Sequence, residues 1–180
     1  MPNFKGTVYI STRMFVEQKL EAGALDAILA EVPEPMREAL AEVSPAGWCD
    51  TEPVLEFHRV LERLYGSPGG TLCIEAGHFS ATWNMNTILK LFLRFKSPLW
   101  ITNKAGSVWD RYHDTGAWTV VGEDDNRISA ELRDFAVTEP LFFRRLTGWL
   151  QGMLEATGGK NPVVRHTERD GVRHFDLRWE

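Results

Sequence analysis

Residues 115–133, TGAWTVVGEDDNRISAELR, decide the fold, because the spacing of hydrophobic residues changes there from three or four to two. Trp118 and Val120 fall on alternate positions, and beyond the Glu123-Asp124-Asp125-Asn126 turn so do Ile128, Ala130 and Leu132. Successive strand side chains point to opposite faces, so this spacing predicts a hairpin with one buried face. Downstream, Thr138 caps a helix with Pro140 in its first turn, a stripe of Phe142, Phe143, Leu146, Trp149, Leu150 and Met153, and a stop at Gly158-Gly159. A second hairpin follows: Asp170-Gly171 has the chemistry of a tight two-residue turn, and Phe175, Leu177 and Trp179 alternate with His174, Asp176 and Arg178.

Upstream the period is helical. After a short strand at Phe4 to Ile10, Ser11 or Thr12 caps a helix with apolar positions Phe15, Val16, Leu20, Ala24, Leu25, Ile28 and Leu29. Val32-Pro33 breaks it, a short helix runs through Leu40, and Ser44-Pro45-Ala46-Gly47 is a loop. Asp50 or Thr51 caps the next helix, with Val54, Phe57, His58, Leu61, Leu64 and Tyr65 on one side, ending at Gly66 to Gly70. Two or three helices are expected from Thr71 to about Asp114, with breaks near Gly77, Ser97-Pro98 and Lys104-Ala105-Gly106. Their core candidates are Leu72, Ile74, Phe79, Ile88, Leu91, Phe92, Phe95 and Trp100. The order predicts an α+β fold: N-terminal helices packed on an antiparallel sheet of four to five strands, made of two hairpins with a helix between them.

At 180 residues the chain is one domain, 1–180, and its 43% hydrophobic and 25% charged residues support a single packed core. The net charge is -5, with no broad basic face, so nucleic acid is not an expected partner. The arginines from Arg165 to Arg178 are interleaved with Glu168, Asp170 and Asp176 as on a solvated hairpin. Cys49 and Cys73 form no Cys-x-x-Cys pair and no apolar leader follows Met1, which predicts a cytoplasmic protein. Membrane insertion is not expected, since Lys90, Arg94 and Lys96 interrupt the stretch from Ile88 to Trp100.

Motifs for acyl, phosphoryl and hydride transfer or for zinc proteolysis do not occur, so an enzyme is not expected. Glu123, Asp124 and Asp125 fall in a turn, where water keeps carboxylates ordinary, and Cys73 near His78 fits a buried thiol better than a nucleophile. The five histidines are scattered, with His166 and His174 placed to face each other across the last hairpin but lacking a third ligand. No metal and no cofactor are expected. The unusual feature is seven tryptophans, of which Trp83, Trp100, Trp109 and Trp118 fall near His78, Tyr112 and His113. Rings with polar tips line apolar pockets, and equally fill cores in which each indole N–H finds a carbonyl.

Glu75-Ala76-Gly77-His78-Phe79, then Val108-Trp109-Asp110-Arg111-Tyr112-His113-Asp114-Thr115-Gly116, then hairpin, Thr138-Glu139-Pro140 helix and Asp170-Gly171 hairpin, resemble a myxobacterial paralogous family of uncharacterised proteins. That family is similar to the NO-signalling and Golgi-transport ligand-binding superfamily, with its haem-NO-binding domains and 4-vinyl reductase-type sensor domains. The resemblance takes 48–180 as the superfamily core and 1–47 as an N-terminal helical segment, and implies a pocket between helices and sheet. Haem-NO domains hold haem propionates with Tyr-x-Ser-x-Arg, which does not occur here, although His78 or His113 offers an imidazole for iron. The zinc-binding cysteines of the 4-vinyl reductase-type sensors are likewise missing from the final hairpin, Arg165 to Phe175.

The expected function is a non-catalytic sensor or signalling domain that binds a small, partly apolar or aromatic molecule, lined by His78, Trp83, Trp109, Tyr112 and Trp118. The alternative is a protein-interaction or homodimerisation scaffold whose pocket is filled by side chains.

Overall fold

The structure is a computed structural model that describes residues 1–67, 69–83 and 97–180, the side chains of 101–103 excepted. Strand β1 (Asn3–Lys5) pairs antiparallel with β2 (Trp48–Asp50), and between them lie α1 (Thr7–Lys19), α2 (Ala24–Glu31) and α3 (Glu34–Ala41). Then come α4 (Thr51–Tyr65), α5 (Thr71–Trp83), α6 (Pro98–Asn103) and α7 (Ala105–Tyr112). Hairpin β3 (Ala117–Asp124) and β4 (Arg127–Arg133), helix α8 (Pro140–Ala156) and hairpin β5 (Val163–Arg169) and β6 (Val172–Arg178) complete the chain.

The two hairpins join through β4 and β6 into one antiparallel sheet of order β3-β4-β6-β5. Trp118, Ile128, Ala130, Leu132, Val164, Phe175 and Leu177 are all buried, as the period-two reading requires. Asp170 and Gly171, at φ of 52° and 75°, make the expected tight turn, since left-handed conformations at both central residues match the twist of the flanking strands. That turn sets the register, so His166 lies opposite Phe175 and His174 opposite Thr167. One residue of offset puts the two imidazoles on opposite faces, and they do not face each other as the sequence suggested.

Against the sheet stands α8, whose buried stripe of Phe142, Phe143, Leu146, Leu150 and Met153 follows the predicted helical spacing. On its other side it crosses α5 at glycines. A Cβ at Gly148 would stand 1.8 Å from the Ile74 carbonyl oxygen, and one at Gly77 1.9 Å from that of Arg145, so backbone meets backbone there. Gly77, where the sequence suggested a break, therefore lies inside α5 as a contact residue.

Other departures are local. The first strand ends at Lys5 and α1 begins at Thr7, so Ser11 and Thr12 are buried helix-interior residues and not caps. The single helix expected through Leu29 is divided at Gly23, which has φ of 87°. Glu139 caps α8 in place of Thr138, accepting from the Leu141 N–H at 3.4 Å. The expected core residues Ile88, Leu91, Phe92 and Phe95 lie outside the described residues. Among the described residues no helix is long and apolar enough to cross a membrane.

Candidate functional site

Helix α7 delivers Trp109 and Tyr112 to the seam between helices and sheet. Trp109 is buried, donates Nε1–H to the Thr115 carbonyl at 3.0 Å, and stacks on His113 with ring centroids 3.9 Å apart. Behind it, 5.9 Å away, Trp118 stacks in turn and leans on Phe175. Phe4, Phe135 and Phe142 close the edges of the His113 ring. The Trp118 Nε1–H is buried without a hydrogen-bond partner among the described residues.

In front of Trp109 is a cavity of about 50 Å³. Val8, Val108, Phe142 and Leu146 supply its aliphatic and ring walls, and Trp109, Tyr112 and Trp149 add aromatic faces. Thr7, His113 and Arg145 are its polar members. Since a water molecule needs about 10–15 Å³ on this measure, the space suits a few water-sized groups or one small molecule.

Arg145 is the feature that sequence reasoning missed. It is 6% exposed and sits on the apolar side of α8. Its Nε donates to Thr12 Oγ1 at 3.0 Å, and its Nη2 to Ser11 Oγ at 2.9 Å, Ser80 Oγ at 3.0 Å and the Val8 carbonyl at 3.1 Å. Ser11 and Thr12 give their own protons to the Val8 carbonyl, and Ser80 gives its proton to that of Ala76, which leaves lone pairs turned to the guanidinium. No carboxylate forms an ion pair with Arg145, and Nη1 has no hydrogen-bond partner, among the described residues. By contrast Arg59, nearer the surface, is met by Glu52, Glu56 and Glu139.

An unneutralised buried charge is costly and acts on its neighbours. Burial lowers the Arg145 pKa to about 10, which leaves it cationic near neutral pH. Burial holds His58 neutral, with its pKa at about 3, and the charges of Arg145 and Arg59 push the same way; its Nε2 lies 3.2 Å from Thr12 Oγ1. His113 is also lowered to about 3, by burial first, with the Trp109 carbonyl opposing and Arg145 reinforcing. Burial, then Glu62, raises the Cys73 thiol above its ordinary range. The cluster thus draws on α1, α4, α5 and α8 and on His113 just past α7, with Arg145 as its deepest cation and the Glu62 side chain, which accepts from the Cys73 N–H at 2.6 Å, at its edge.

Of the five residues singled out in the sequence, Trp109 and Tyr112 line the cavity and Trp118 backs Trp109 from the sheet side. His78 and Trp83 lie elsewhere on α5: His78 is half-exposed and meets Glu155 Oε2 at 2.7 Å, and Trp83 is 37% exposed. Arg145 does leave a signal in the sequence, because it follows Phe142 by three and precedes Leu146 and Trp149 by one and four. That phase places it within the hydrophobic stripe.

The fold is that of H-NOX domains. An Fe(II) unliganded H-NOX protein from K. algicida superposes with a TM-score of 0.74 at 13% identity, over 98% of this chain and 96% of that one. An H-NOX protein from S. oneidensis in the Fe(II)NO ligation state gives 0.68 at 12% identity over 98% and 99%, respectively. An oxygen-binding H-NOX domain related to soluble guanylate cyclases, in its oxygen complex, gives 0.65 at 10% over 98% and 95%. No family model and no curated protein matches the sequence.

The described residues do not fit the haem that this fold family suggests. His113 is held between rings and donates Nδ1–H to the Trp109 carbonyl at 3.3 Å, beside a cavity of about 50 Å³, whereas sites for drug-sized ligands measure about 300–1,000 Å³. His78 is engaged with Glu155 on the outer side of α5. Among the described residues no group of three or more His, Cys, Asp or Glu could hold a metal ion.

Proposed function

We propose that the chain is a non-catalytic sensor domain that encloses a small, partly apolar ligand between its helices and its sheet. The observation that carries this reading is the cavity beside Trp109, walled by rings and aliphatic side chains of α1, α7 and α8, backed on the sheet side by Trp118 behind Trp109, and given one charged corner by Arg145. A few directed polar groups set in an apolar wall are what orient a small molecule. The neighbours support a ligand-holding use of the fold, since their names record Fe(II)NO ligation and oxygen binding. Trp109 and Tyr112 are the lining side chains in this reading, and Trp118 fixes Trp109 from behind.

The test is native mass spectrometry of the purified protein, with thermal shift against small apolar and amphipathic molecules. Binding of such a molecule raises the melting temperature with its concentration. A protein that carries no small molecule and is stabilised by none refutes the sensor reading. Added haemin is expected to give no Soret band, and a stoichiometric Soret band refutes the fit argument.

A second reading, an interaction or homodimerisation scaffold whose pocket is filled by side chains, is favoured by the dense ring packing around His113. Sedimentation at increasing concentration, with no ligand response, would select it.

A further inference from the structure

We infer that the molecule taken up beside Trp109 is a small anion, a short-chain carboxylate, held by the free edge of the Arg145 guanidinium. This rests on the sensor reading above and specifies its ligand chemistry.

Two observations converge. Arg145 is 6% exposed, its Nε and Nη2 are committed to neutral acceptors on α1 and α5, and Nη1 has no partner among the described residues. The same residue lines the cavity, whose other walls are mostly apolar. A guanidinium presents its donors in a rigid planar fork that suits the flat carboxylate group. Phosphate is a poorer match, because it spreads charge over a tetrahedron and the cavity offers one cation. His113 brings no charge, being neutral and donating to the Trp109 carbonyl. A volume of about 50 Å³ limits the guest to a few heavy atoms, and Val8, Val108 and Leu146 suit a short alkyl tail.

The approach is consistent with an anion. An open surface groove of about 540 Å³ shares Thr7 and Tyr112 with the cavity, and Lys5 and Arg111 face it against Asp110 alone. Two cations and one acid at the mouth of a cleft raise the local concentration of negative ligands.

The experiment uses the intact protein at constant ionic strength. Acetate, propionate and butyrate are titrated beside acetamide, propionamide and butyramide, with melting temperature and calorimetric affinity as readouts. Saturable binding of the acids at least about tenfold tighter than the amides, a gap of one charge-assisted hydrogen bond, is the expected result. Equal binding of acids and amides overturns the anion inference and leaves the sensor reading standing. Binding of neither, but of other neutral apolar molecules, does the same; binding of nothing at all overturns both. Val108→Phe, which adds a ring to the cavity wall and leaves the Arg145 side chain unsubstituted, is expected to abolish the acid response. An undiminished response in that variant places the anion elsewhere and overturns the inference. Should Val108→Phe not fold, loss of acid preference in Arg145→Gln, with amide binding retained, supports the assignment, and unchanged preference overturns it.

Discussion

Replacing Gly148 by alanine tests whether direct backbone contact between α5 and α8 holds the helical layer together. The added Cβ would lie 1.8 Å from the Ile74 carbonyl oxygen, 2.7 Å from its carbon and 3.0 Å from the His78 nitrogen, so no side-chain rotation relieves it. Reaching ordinary contact, at 3.4 Å or more, requires the helices to part by about 1.6 Å. Overpacking of this kind costs about 1–3 kcal/mol, and a rigid backbone partner puts Gly148→Ala at the upper end. Alanine returns about 0.8–1.0 kcal/mol through its better helix propensity, so the net loss is about 2 kcal/mol. For a chain of this length that lowers the melting temperature by roughly 4–8 °C. Separation of the helices also stretches the 3.0 Å bond from Arg145 to Ser80, because Arg145 lies one turn from Gly148. Urea unfolding and calorimetry measure the loss. Gly152→Ala should cost less, since its nearest neighbour is the Ala81 methyl at 2.7 Å. If Gly148→Ala were neutral or stabilising, the close crossing and the placement of Arg145 that depends on it would both be wrong.

Acid should unfold the protein early. His58 and His113 are neutral when folded, with pKa values of about 3, but titrate near 6.5 when unfolded, so stability is complete above about pH 6.5 and falls as pH drops toward 3. Each contributes a slope of about 1.4 kcal/mol per pH unit within that window, and a flat denaturant midpoint between pH 6.5 and 4 would refute their burial. Trp118→Phe removes an indole N–H that has no partner among the described residues and should stay within about 1 kcal/mol of the parent. Trp109→Phe breaks the bond to the Thr115 carbonyl and should be the more damaging by urea midpoint, so the reverse order would contradict the ring cluster. Gly171→Ala forces a side chain to φ of 75° and should cost about 1–2 kcal/mol, read by the same titration.

The hairpins were legible because one-faced strands write their burial in a period of two, and because Asp170-Gly171 names its turn locally. Helix α8 was legible for the same reason at a different period. What stayed hidden depends on partners distant in sequence. Ser11 and Thr12 look like caps to any local rule, yet they accept from a guanidinium 134 and 133 residues away. Gly77 looks like a break until Arg145 is brought against it. Trp109 and Tyr112 could be found as part of an aromatic cluster, but Arg145 stands beside Arg144 in what reads as a surface pair. Only its phase against Phe142, Leu146 and Trp149 marks it as internal.

The two arginines of the helical layer show what is unusual about its interior. Arg59 is 37% exposed and neutralised by three carboxylates, an arrangement that keeps it cationic and links α4 to the start of α8. Arg145 is deeper and receives hydroxyls and a carbonyl, which satisfy the direction of its hydrogen bonds without cancelling its charge. Such a cluster is structurally sufficient to join α1, α5 and α8, and a methionine or leucine of similar volume would join them at lower electrostatic cost. A purely structural role therefore accounts for the hydroxyls but not for the charge. Burial first, and the positive field after it, keeps the neighbouring imidazoles neutral, and Arg145 also lines the cavity bordered by Trp109, Phe142 and Trp149. A negative guest entering there supplies the missing half of a buried pair, at a position where low dielectric strengthens the attraction and apolar walls exclude competing water.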